Sequence, residues 1–366
     1  MNRVGCELCK EAGVPMSKTI LVTAIGSFSA VTVIKSLKNM GHRVVGCDIY
    51  PAEWVANSGI ADVFYKAPYA TDRPAYEAFV KRVCKEEDVA FVMPLTDVEI
   101  DLFRKWETAA EDTGAVICMS ERKMLDIIRN KKALEDYLAP MGICETIPGR
   151  SLAEVVDEKL KKHHGLVYAD GVYEEANGYE NLDYPLVIKP VDGRSSQGLH
   201  IVKNEREMEL VVELCGDDIS HYIVQPKISG PVITVDVVRN PETEECVCIP
   251  RRELLRTPNG AGTSVRVFRH PQLEKQCCDI AKALNIRGCV NFEFVEEKTP
   301  ESADVPGKWR FLECNPRFAG GLAFSHVAGY DMVKNHLNCF TGNGLEPEGE
   351  IRELFVARRY EEYVMG

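Results

Sequence analysis

The segments GCVNFEF at residues 288–294 and WRFLECNPR at residues 309–317 decide the fold of this chain. Apolar and polar side chains alternate along both segments, which predicts two β-strands. The polar stretch between them, residues 296–308, contains Pro and Gly and predicts a connecting loop. The period of two places the apolar residues of the first strand on one face and Asn291 and Glu293 on the other. The segment therefore predicts a hairpin with one polar face.

The second strand adds oxygen atoms to that polar face. We expect Leu312 and Cys314 to face the core, and Glu313 and Asn315 to lie beside Glu293. Carboxylates at this distance repel each other unless a cation lies between them, and hard oxygen ligands suit Mg²⁺ that holds substrate phosphates. The alternative is a solvated polar face. A solvated face does not account for the Asn-Pro-Arg that ends the strand.

A lysine and a glycine-rich loop form a second polar feature. Lys189 lies near the end of the apolar segment 184–190, where burial without a partner is costly. The loop 192–198 follows at once, and its backbone N–H groups and two serine hydroxyls can lie over phosphates. Arg317 can add a bidentate phosphate contact. The alternative here is an ordinary hairpin with a solvated lysine.

The first third of the chain alternates apolar strands with amphipathic helices. Strands are expected at residues 19–23, 43–47, 89–93 and 115–119. This alternation predicts a doubly wound α/β domain with a parallel sheet. Two short helices should follow, at residues 121–128 and 131–139, and then a long polar stretch, residues 149–183, with one helix at 153–162.

Strands come in closer succession after Tyr184, which predicts an α+β region with antiparallel sheets. They are expected at residues 186–190, 199–202, 222–225 and 232–239, with a helix at 205–215. The predicted organisation is a flexible extension at 1–18, a Rossmann-like domain at 19–122 and a second domain at 123–366. Within the second domain we expect linking helices, an insertion and the first strand at 123–190, a small lobe at 184–228 and a large lobe at 229–366.

The turn at residues 25–29 suggests a dinucleotide site, because Asp48 lies 22 residues after Gly26 at the end of the next strand. The fingerprint needs three glycines, and only Gly26 is present. We therefore interpret the turn as a bare helix start, whose N–H groups could receive an anionic substrate group.

Composition excludes several classes of protein. The net charge of −12 disfavours nucleic acid as a partner. No apolar run approaches the ~20 residues that cross a bilayer, and charged residues interrupt the first 15, so we expect no membrane partner and a cytoplasmic location. The 14 cysteines are scattered and are expected to be free thiols. Cys6 and Cys9 have metal-ligand spacing but no second pair nearby.

Taken in order, these motifs resemble the ATP-grasp superfamily, and most of all its branch similar to the carbamoyl-phosphate synthase large subunit. The resemblance extends from about residue 19 to residue 365 and implies a pre-ATP-grasp domain followed by a two-lobed ATP-grasp domain. The motifs that carry it are Asn130-Lys131, the strand with Lys189, the loop 192–198, the segment 223–228, Glu293, and Glu313-x-Asn315-Pro316-Arg317.

The resemblance implies a role for each motif. ATP is the expected cofactor, with two Mg²⁺ ions or Mn²⁺ in their place. The phosphate ligands implied are Lys131, Lys189 and a closing loop that includes Gly193, Ser195, Ser196 and Gly198. The adenine would lie against the backbone of Gln225, Pro226 and Ile228, and the metal ligands would be Glu293, Glu313 and Asn315. Arg317 would steady the transferred phosphoryl group.

One position departs from the family pattern. The family often has a ribose-binding Glu at the start of the strand after the hinge, and Val232 occupies that place here. This substitution puts ribose recognition in doubt but leaves the phosphate contacts unaffected.

The implied reaction is ATP-dependent joining of a carboxylate to an amine, through an acyl phosphate, with release of ADP and phosphate. Both substrates would be small molecules, and a homodimer is possible. Arg251, Arg252 and Arg256 are candidates for holding a carboxylate, with Arg251 taken as catalytic, or they form a basic surface strand. Asp97 and Glu99 could bind a substrate amine or start a helix, and the helix start is favoured.

Two other functions stay open. The chain could phosphorylate bicarbonate or carbamate as half of a synthase. It could also be a non-catalytic nucleotide-binding regulator. The residue types retained at Lys189, Glu293, Glu313, Asn315 and Arg317 argue against the second alternative.

Overall fold

The computed structural model describes residues 17–157, 182–194, 196–258, 260–297 and 308–365. They form one parallel sheet and two mainly antiparallel sheets, with helices packed against them. The predicted fold class, α/β followed by α+β, is thereby confirmed. Most of the predicted extension 1–18, with Cys6 and Cys9, lies outside the described residues. Within these ranges, no helix combines the length and the apolar character that a membrane crossing requires.

The N-terminal sheet has five parallel strands in the order β3-β2-β1-β4-β5. They are β1 (Thr19–Val22), β2 (Arg43–Asp48), β3 (Val63–Lys66), β4 (Val89–Met93) and β5 (Val116–Ile117). The edge strand β3 was not predicted, because it has four residues and none is fully buried. The helices of this region are α1 (Ala30–Asn39), α2 (Arg73–Glu87), α3 (Asp97–Lys105), α4 (Ala109–Thr113), α5 (Arg122–Ile128) and α6 (Lys131–Leu138).

A four-stranded antiparallel sheet follows, in the order β7-β10-β8-β9. Its strands are β7 (Arg150–Ser151), β8 (Leu186–Pro190), β9 (His200–Val202) and β10 (Tyr222–Pro226), and α7 (Glu205–Cys215) covers it. It has a small core of its own, which includes Leu152, Ile188 and Met208. Residues 152–157 are helical, as predicted for the start of the helix 153–162, and the rest of that helix lies outside the described residues.

The third sheet has seven strands in the order β16-β13-β12-β11-β14-β15-β6. They are β6 (Glu145–Thr146), β11 (Val232–Arg239), β12 (Cys246–Arg256), β13 (Gly262–Val267), β14 (Gly288–Glu297), β15 (Lys308–Asn315) and β16 (Leu354–Ala357). All neighbours are antiparallel except β15 and β6. Its helices are α8 (Pro271–Ala283), α9 (Leu322–Ala328) and α10 (Met332–Thr341).

The two faces of the seven-stranded sheet contribute to different cores. Helix α8 packs on one face, where Val290, Phe292 and Phe294 are buried as predicted. The opposite face joins the N-terminal sheet in one continuous core that includes Ile20 of β1 and Ile249 of β12. The two sheets are therefore held together by a shared apolar interior.

The hairpin of β14 and β15 contains a β-bulge. Glu293 lies opposite Glu313, but the next residue, Phe294, lies opposite Phe311, so Leu312 is the extra residue. The prediction that Leu312 faces the core is therefore wrong, because the bulge turns it toward the polar face. Phe311 takes the core position in its place.

Candidate active site

A cavity of about 820 Å³ lies where the three sheets meet. Its wall comes from the turn at residues 26–29, the start of α3, strands β8 to β10 and the polar face of the seven-stranded sheet. The predicted site residues that reach it are Lys131, Lys189, Gly193, Ser196, Gln225, Pro226, Ile228, Arg251, Glu293, Glu313, Asn315 and Arg317. Gly198 does not line the cavity, and Ser195 lies outside the described residues.

Two carboxylates face each other across the hairpin of β14 and β15. Glu293 lies opposite Glu313 in the strand register, and Asn315 donates a hydrogen bond of 3.3 Å to Glu313. Burial and the charge of Glu313 raise the pKa of Glu293 to about 7. Burial also acts on Glu313, but Lys131 and Lys189 outweigh it and lower the pKa of Glu313. Below a pH of about 7 the pair therefore holds one proton, and its oxygen atoms can bind a divalent cation.

Two lysines approach this carboxylate pair from the other side of the cavity. The Lys131 Nζ lies 3.4 Å from Glu313 and donates to the Gly193 carbonyl at 2.5 Å. Burial lowers the pKa of Lys189 to about 8, and the neighbouring charge of Lys131 acts in the same direction against the attraction of Glu313. Two clustered ammonium groups next to a carboxylate can accept a polyanion such as a chain of phosphates.

The start of α6 is fixed by its cap. The Asn130 side chain accepts from the backbone N–H groups of Lys132 and Ala133, and the Lys131 N–H donates to the Val191 carbonyl at 2.8 Å. The loop after β8 is thereby tied to the helix that carries Lys131. Ser196 has a positive φ of 57°, and so does Gly198, at 68°, which gives the loop its sharp turn.

An apolar slot leads away from the lysines. Val187, Ile201, Val232 and Leu312 line it, so the bulged residue of β15 forms part of this slot. At its edge, the Gln225 amide donates to the Ile147 carbonyl at 2.7 Å and is buried. The amide nitrogen of Gln225 is therefore used within the protein.

The other end of the cavity is strongly charged. Arg317 donates to Asp97 Oδ2 at 3.0 and 3.3 Å. Asp97 is buried, yet Arg317 and Arg129 lower its pKa. Its Oδ1 lies 3.5 Å from Arg129 Nη1 in an ion pair but accepts no hydrogen bond from any residue that the structure describes. Asp97 also starts α3 as predicted, with a capping box between Thr96 and Glu99, and it lines the cavity, whereas Glu99 does not.

Arg251 lines the cavity but is already paired. Its guanidinium donates to Asp236 at 2.7 Å and to Glu253 at 3.3 Å, and all three side chains are buried. Ser325 donates to the same Asp236 oxygen at 2.6 Å. Glu253 Oε2 is buried without a hydrogen-bond partner among the described residues. Arg251 therefore holds Glu253 at the cavity wall, an arrangement in which one carboxylate oxygen is left for a ligand.

The three arginines predicted to hold a carboxylate do not all reach the cavity. Adjacent residues of a strand point to opposite faces, so Arg252 lies away from the cavity and pairs with Glu296. The expectation that Arg252 faces the cleft is therefore wrong. Bulges in β12 return Arg256 to the cavity, where it lies 3.1 Å from Glu293.

The turn at residues 26–29 lines the cavity, but two of its N–H groups are occupied. The Gly26 N–H donates to Asp48 Oδ2 at 2.7 Å, and the Ser27 N–H donates to the Ala24 carbonyl. The expectation that this turn receives an anion is thus weakened at these two positions. A Cβ at Gly26 would lie 3.0 Å from the same Asp48 oxygen, which explains the glycine.

Sequence reasoning missed several residues at the charged end. Glu253 follows Arg251 by two positions, and period two would have placed it on the same face. Arg358, which follows β16, donates to the Gly320 carbonyl and lies over the rings of Phe28 and Phe324. Gly320 and Phe28 both line the cavity. Nothing in the local sequence around Arg358 indicates this approach.

Comparisons with known proteins agree with this architecture. The family described as "ATP-grasp in the biosynthetic pathway with Ter operon" matches residues 218–362, and the family "D-ala D-ala ligase C-terminus" matches residues 162–254. The chain is similar to the carbamoyl phosphate synthase large chain of Methanobrevibacter smithii, with 24% identity over 324 residues. That match covers 84% of this chain and 28% of the relative. The chain thus spans about a quarter of the length of the curated relatives it matches.

Solved structures share the fold over most of the chain. The biotin carboxylase domain of the 2-oxoglutarate carboxylase of Hydrogenobacter thermophilus, a dimer in complex with MgADP, ADP and bicarbonate, superposes with a TM-score of 0.72 at 17% identity. This match covers 92% of the present chain and 73% of the other. The N5-carboxyaminoimidazole synthetase of Staphylococcus aureus, complexed with ADP, gives a TM-score of 0.67 at 16% identity over 90% and 78% of the two chains. The family models and the sequence relatives confirm the ATP-grasp relationship that the sequence motifs predict, and the solved structures confirm the fold.

Proposed function

We propose that this chain is an ATP-dependent ligase that activates a carboxylate as an acyl phosphate and joins it to an amine. The single observation that carries the proposal is the opposed pair Glu293 and Glu313, which faces Lys131 and Lys189 across one cavity. The ATP-grasp relationship supports it. Lysines and a carboxylate pair together match the charge pattern of a metal–phosphate complex.

The proposed nucleotide position follows from the walls of the cavity. The adenine would lie in the apolar slot of Val187, Ile201 and Leu312, against the backbone of residues 225–228. The phosphates would extend toward Lys189 and Lys131, under the loop that contains Gly193 and Ser196. Val232 also lines the slot, at the start of β11 where the family pattern has a carboxylate, so the ribose would lack that acceptor.

The residues present fit a divalent cation. Without a cation, the Glu293 pKa of about 7 records the repulsion between the two carboxylates as well as burial. A metal between Glu293, Glu313 and Asn315 would replace that proton. Mg²⁺, when bound, would neutralise the charge that develops on the transferred phosphoryl group. The structural neighbours named above with MgADP or ADP support this assignment of ATP and Mg²⁺.

The proposed chemistry uses positioning and charge. A carboxylate oxygen of the substrate attacks the γ-phosphorus as the bond to the ADP oxygen breaks, and Lys189 and Arg317 would hold the transferred oxygens. The amine lone pair then attacks the acyl carbon, phosphate leaves with the bonding electrons, and the nitrogen loses one proton. Asp97 Oδ1 and Glu253 Oε2, both buried without a hydrogen-bond partner among the described residues, are the acceptors that we propose for the amine.

Phosphorylation of bicarbonate is the second candidate function. It is favoured by the similarity to carbamoyl phosphate synthase large chains and by the bicarbonate-bound carboxylase structure. The two functions differ in the substrate that is required for ADP release. Bicarbonate alone would support ADP release in the second case, whereas the ligase needs an organic carboxylate.

A coupled ADP-release screen tests the proposal. Amino acids and small carboxylates are supplied singly and in pairs, with Mg²⁺ or Mn²⁺, and hydroxylamine replaces the amine in a parallel series. We expect metal-dependent ADP and phosphate release with one class of carboxylate, and a trapped hydroxamate when the amine is omitted. AMP and pyrophosphate as products would contradict the proposal, and ADP release with bicarbonate alone would favour the second function. Sedimentation of the same preparation tests the expected homodimer.

A further inference from the structure

Three cysteine side chains converge on the face of the seven-stranded sheet that carries α8. Cys246 and Cys248 lie two positions apart on β12 and so point to the same side, and Cys278 approaches them from α8. The three sulfur atoms all lie within 4.8 Å of one another, and those of Cys248 and Cys278 are 3.5 Å apart. Among the described residues, this is the one such group of His, Cys, Asp and Glu side chains.

The spacing suits one ion bound to three sulfurs. With a metal–sulfur bond of about 2.3 Å, three thiolates around one ion are about 4 Å apart. The observed sulfur–sulfur separations of 3.5 Å and at most 4.8 Å bracket that value, so small side-chain rotations would complete the triangle. Thiolates are soft ligands and select soft ions such as Cu(I), whereas structural Zn²⁺ sites have four protein ligands.

We propose that Cys246, Cys248 and Cys278 form a three-coordinate site for a soft, thiophilic cation of the Cu(I) type. Cys248 is buried at 3% exposure and anchors the site, while Cys246 and Cys278 are partly exposed and give an ion access. The site lies on the opposite face of β12 from Arg251 and Glu253, which line the nucleotide-sized cavity. It is therefore separate from the proposed ligase site and does not depend on that function.

Anaerobic titration of the reduced full-length protein with Cu(I) tests the proposal. Cu(I) is delivered against a chromogenic chelator, and the amount retained by the protein is measured for the wild type and for Cys246→Ser and Cys278→Ser. We expect one equivalent of tightly held Cu(I) in the wild type and at least a tenfold loss of affinity in each variant. Cys215→Ser is the control, because Cys215 lies in the core of the four-stranded sheet, and it should bind as the wild type does.

Alkylation of the wild type gives an independent measurement if a variant folds poorly. Mass spectrometry of peptides after iodoacetamide treatment should show that one equivalent of Cu(I) protects Cys246 and Cys278 and leaves the labelling of Cys215 unchanged. Equal Cu(I) affinity in the wild type and in either folded variant would overturn the proposal. Displacement of Cu(I) by equimolar Zn²⁺ would equally overturn the three-coordinate assignment, as would a Cys248–Cys278 disulfide that forms in preference to the metal site.

Discussion

The charge of Glu293 changes near neutral pH because burial and the second carboxylate opposite it in the hairpin both raise its pKa. Its pKa is raised to about 7, so at pH 6 the side chain carries a proton that a metal must displace. The folded protein holds this proton more tightly than the unfolded chain does. Stability contributed by Glu293 is therefore present at low pH and lost as the pH rises toward 7.

The first prediction concerns metal affinity. Below pH 7 we expect the apparent Mn²⁺ affinity to fall by up to about tenfold per pH unit, and above pH 7 it should level off, because one proton is displaced per ion. Free Mn²⁺ is counted by electron paramagnetic resonance in the absence of nucleotide. Glu293→Gln should bind more weakly and lose this pH dependence. The same slope in both proteins would show that another group controls the proton.

The second prediction concerns turnover. Glu313→Gln and Lys189→Ala should each lower kcat at least ~10²-fold, because both groups are proposed to face developing charge in a closed site. Tm should hardly change, since neither side chain belongs to an apolar core. Lys275→Ala is the control for the lysine variant, because Lys275 is exposed on α8 and pairs only with Asp279 among the described partners. A loss of folding with full activity per folded molecule would assign both residues a structural role instead.

Among the elements, those with a clear period of two or 3.6 were predictable from the sequence. The strands Leu186–Pro190 and Val232–Arg239 and the helix Glu205–Cys215 have the predicted bounds, because apolar spacing alone defines them. The bulge at Leu312 was not predictable, since an extra residue in one strand leaves the alternation of the sequence unchanged until the partner's register is known. Arg358 was missed because its position depends on packing between distant segments.

The third prediction belongs to strand β11. Val232 pairs with Val295 and lines the proposed nucleotide slot, where an apolar side chain cannot accept from ribose hydroxyls. The wild type should therefore discriminate poorly between ATP and 2′-deoxy-ATP. Val232→Glu should widen the ratio of their Kd values by up to ~10-fold at the lower end of the about 1.5–3 kcal/mol that a charged hydrogen bond contributes.

Titration calorimetry with both nucleotides measures this ratio for the wild type and the Glu variant. Val232→Met is the matched control, because methionine is similar in length to glutamate and has no carboxylate. Its ratio of the two nucleotide Kd values should equal that of the wild type. Strong discrimination in the wild type, or an unchanged ratio in the Glu variant, would show that the register or the ribose assignment is wrong.

At the scale of the whole molecule, the N-terminal sheet and the seven-stranded sheet unfold as one unit if their shared core dominates stability. Leu322 of α9 is buried in that core with Ile20 of β1, whereas Met208 of α7 is buried in the separate core of the four-stranded sheet. The fourth prediction compares the two positions. Leu322→Ala and Met208→Ala should each lower the free energy of unfolding by about 2–5 kcal/mol, because each removes a packed side chain.

Hydrogen exchange read by mass spectrometry distinguishes the two variants. Leu322→Ala should speed exchange in β1 and in β12 alike, because both strands contribute to the shared core. Met208→Ala should speed exchange in β8 and β10 and leave β1 protected. Faster exchange confined to α9 and its neighbours in Leu322→Ala would show that the two large sheets open independently.

The shared core also determines what a mutational screen would find. Ile20, Val33 and Leu37 are fully buried in the shared core, and none of them lines the cavity. A selection for catalytic activity would nevertheless score substitutions at these positions as damaging, because they destabilise the core that supports the charged end of the cavity. The positions found to be essential will therefore include buried residues of β1 and α1. Measuring the abundance of each variant protein alongside growth will separate residues that contact a ligand from residues that stabilise the fold.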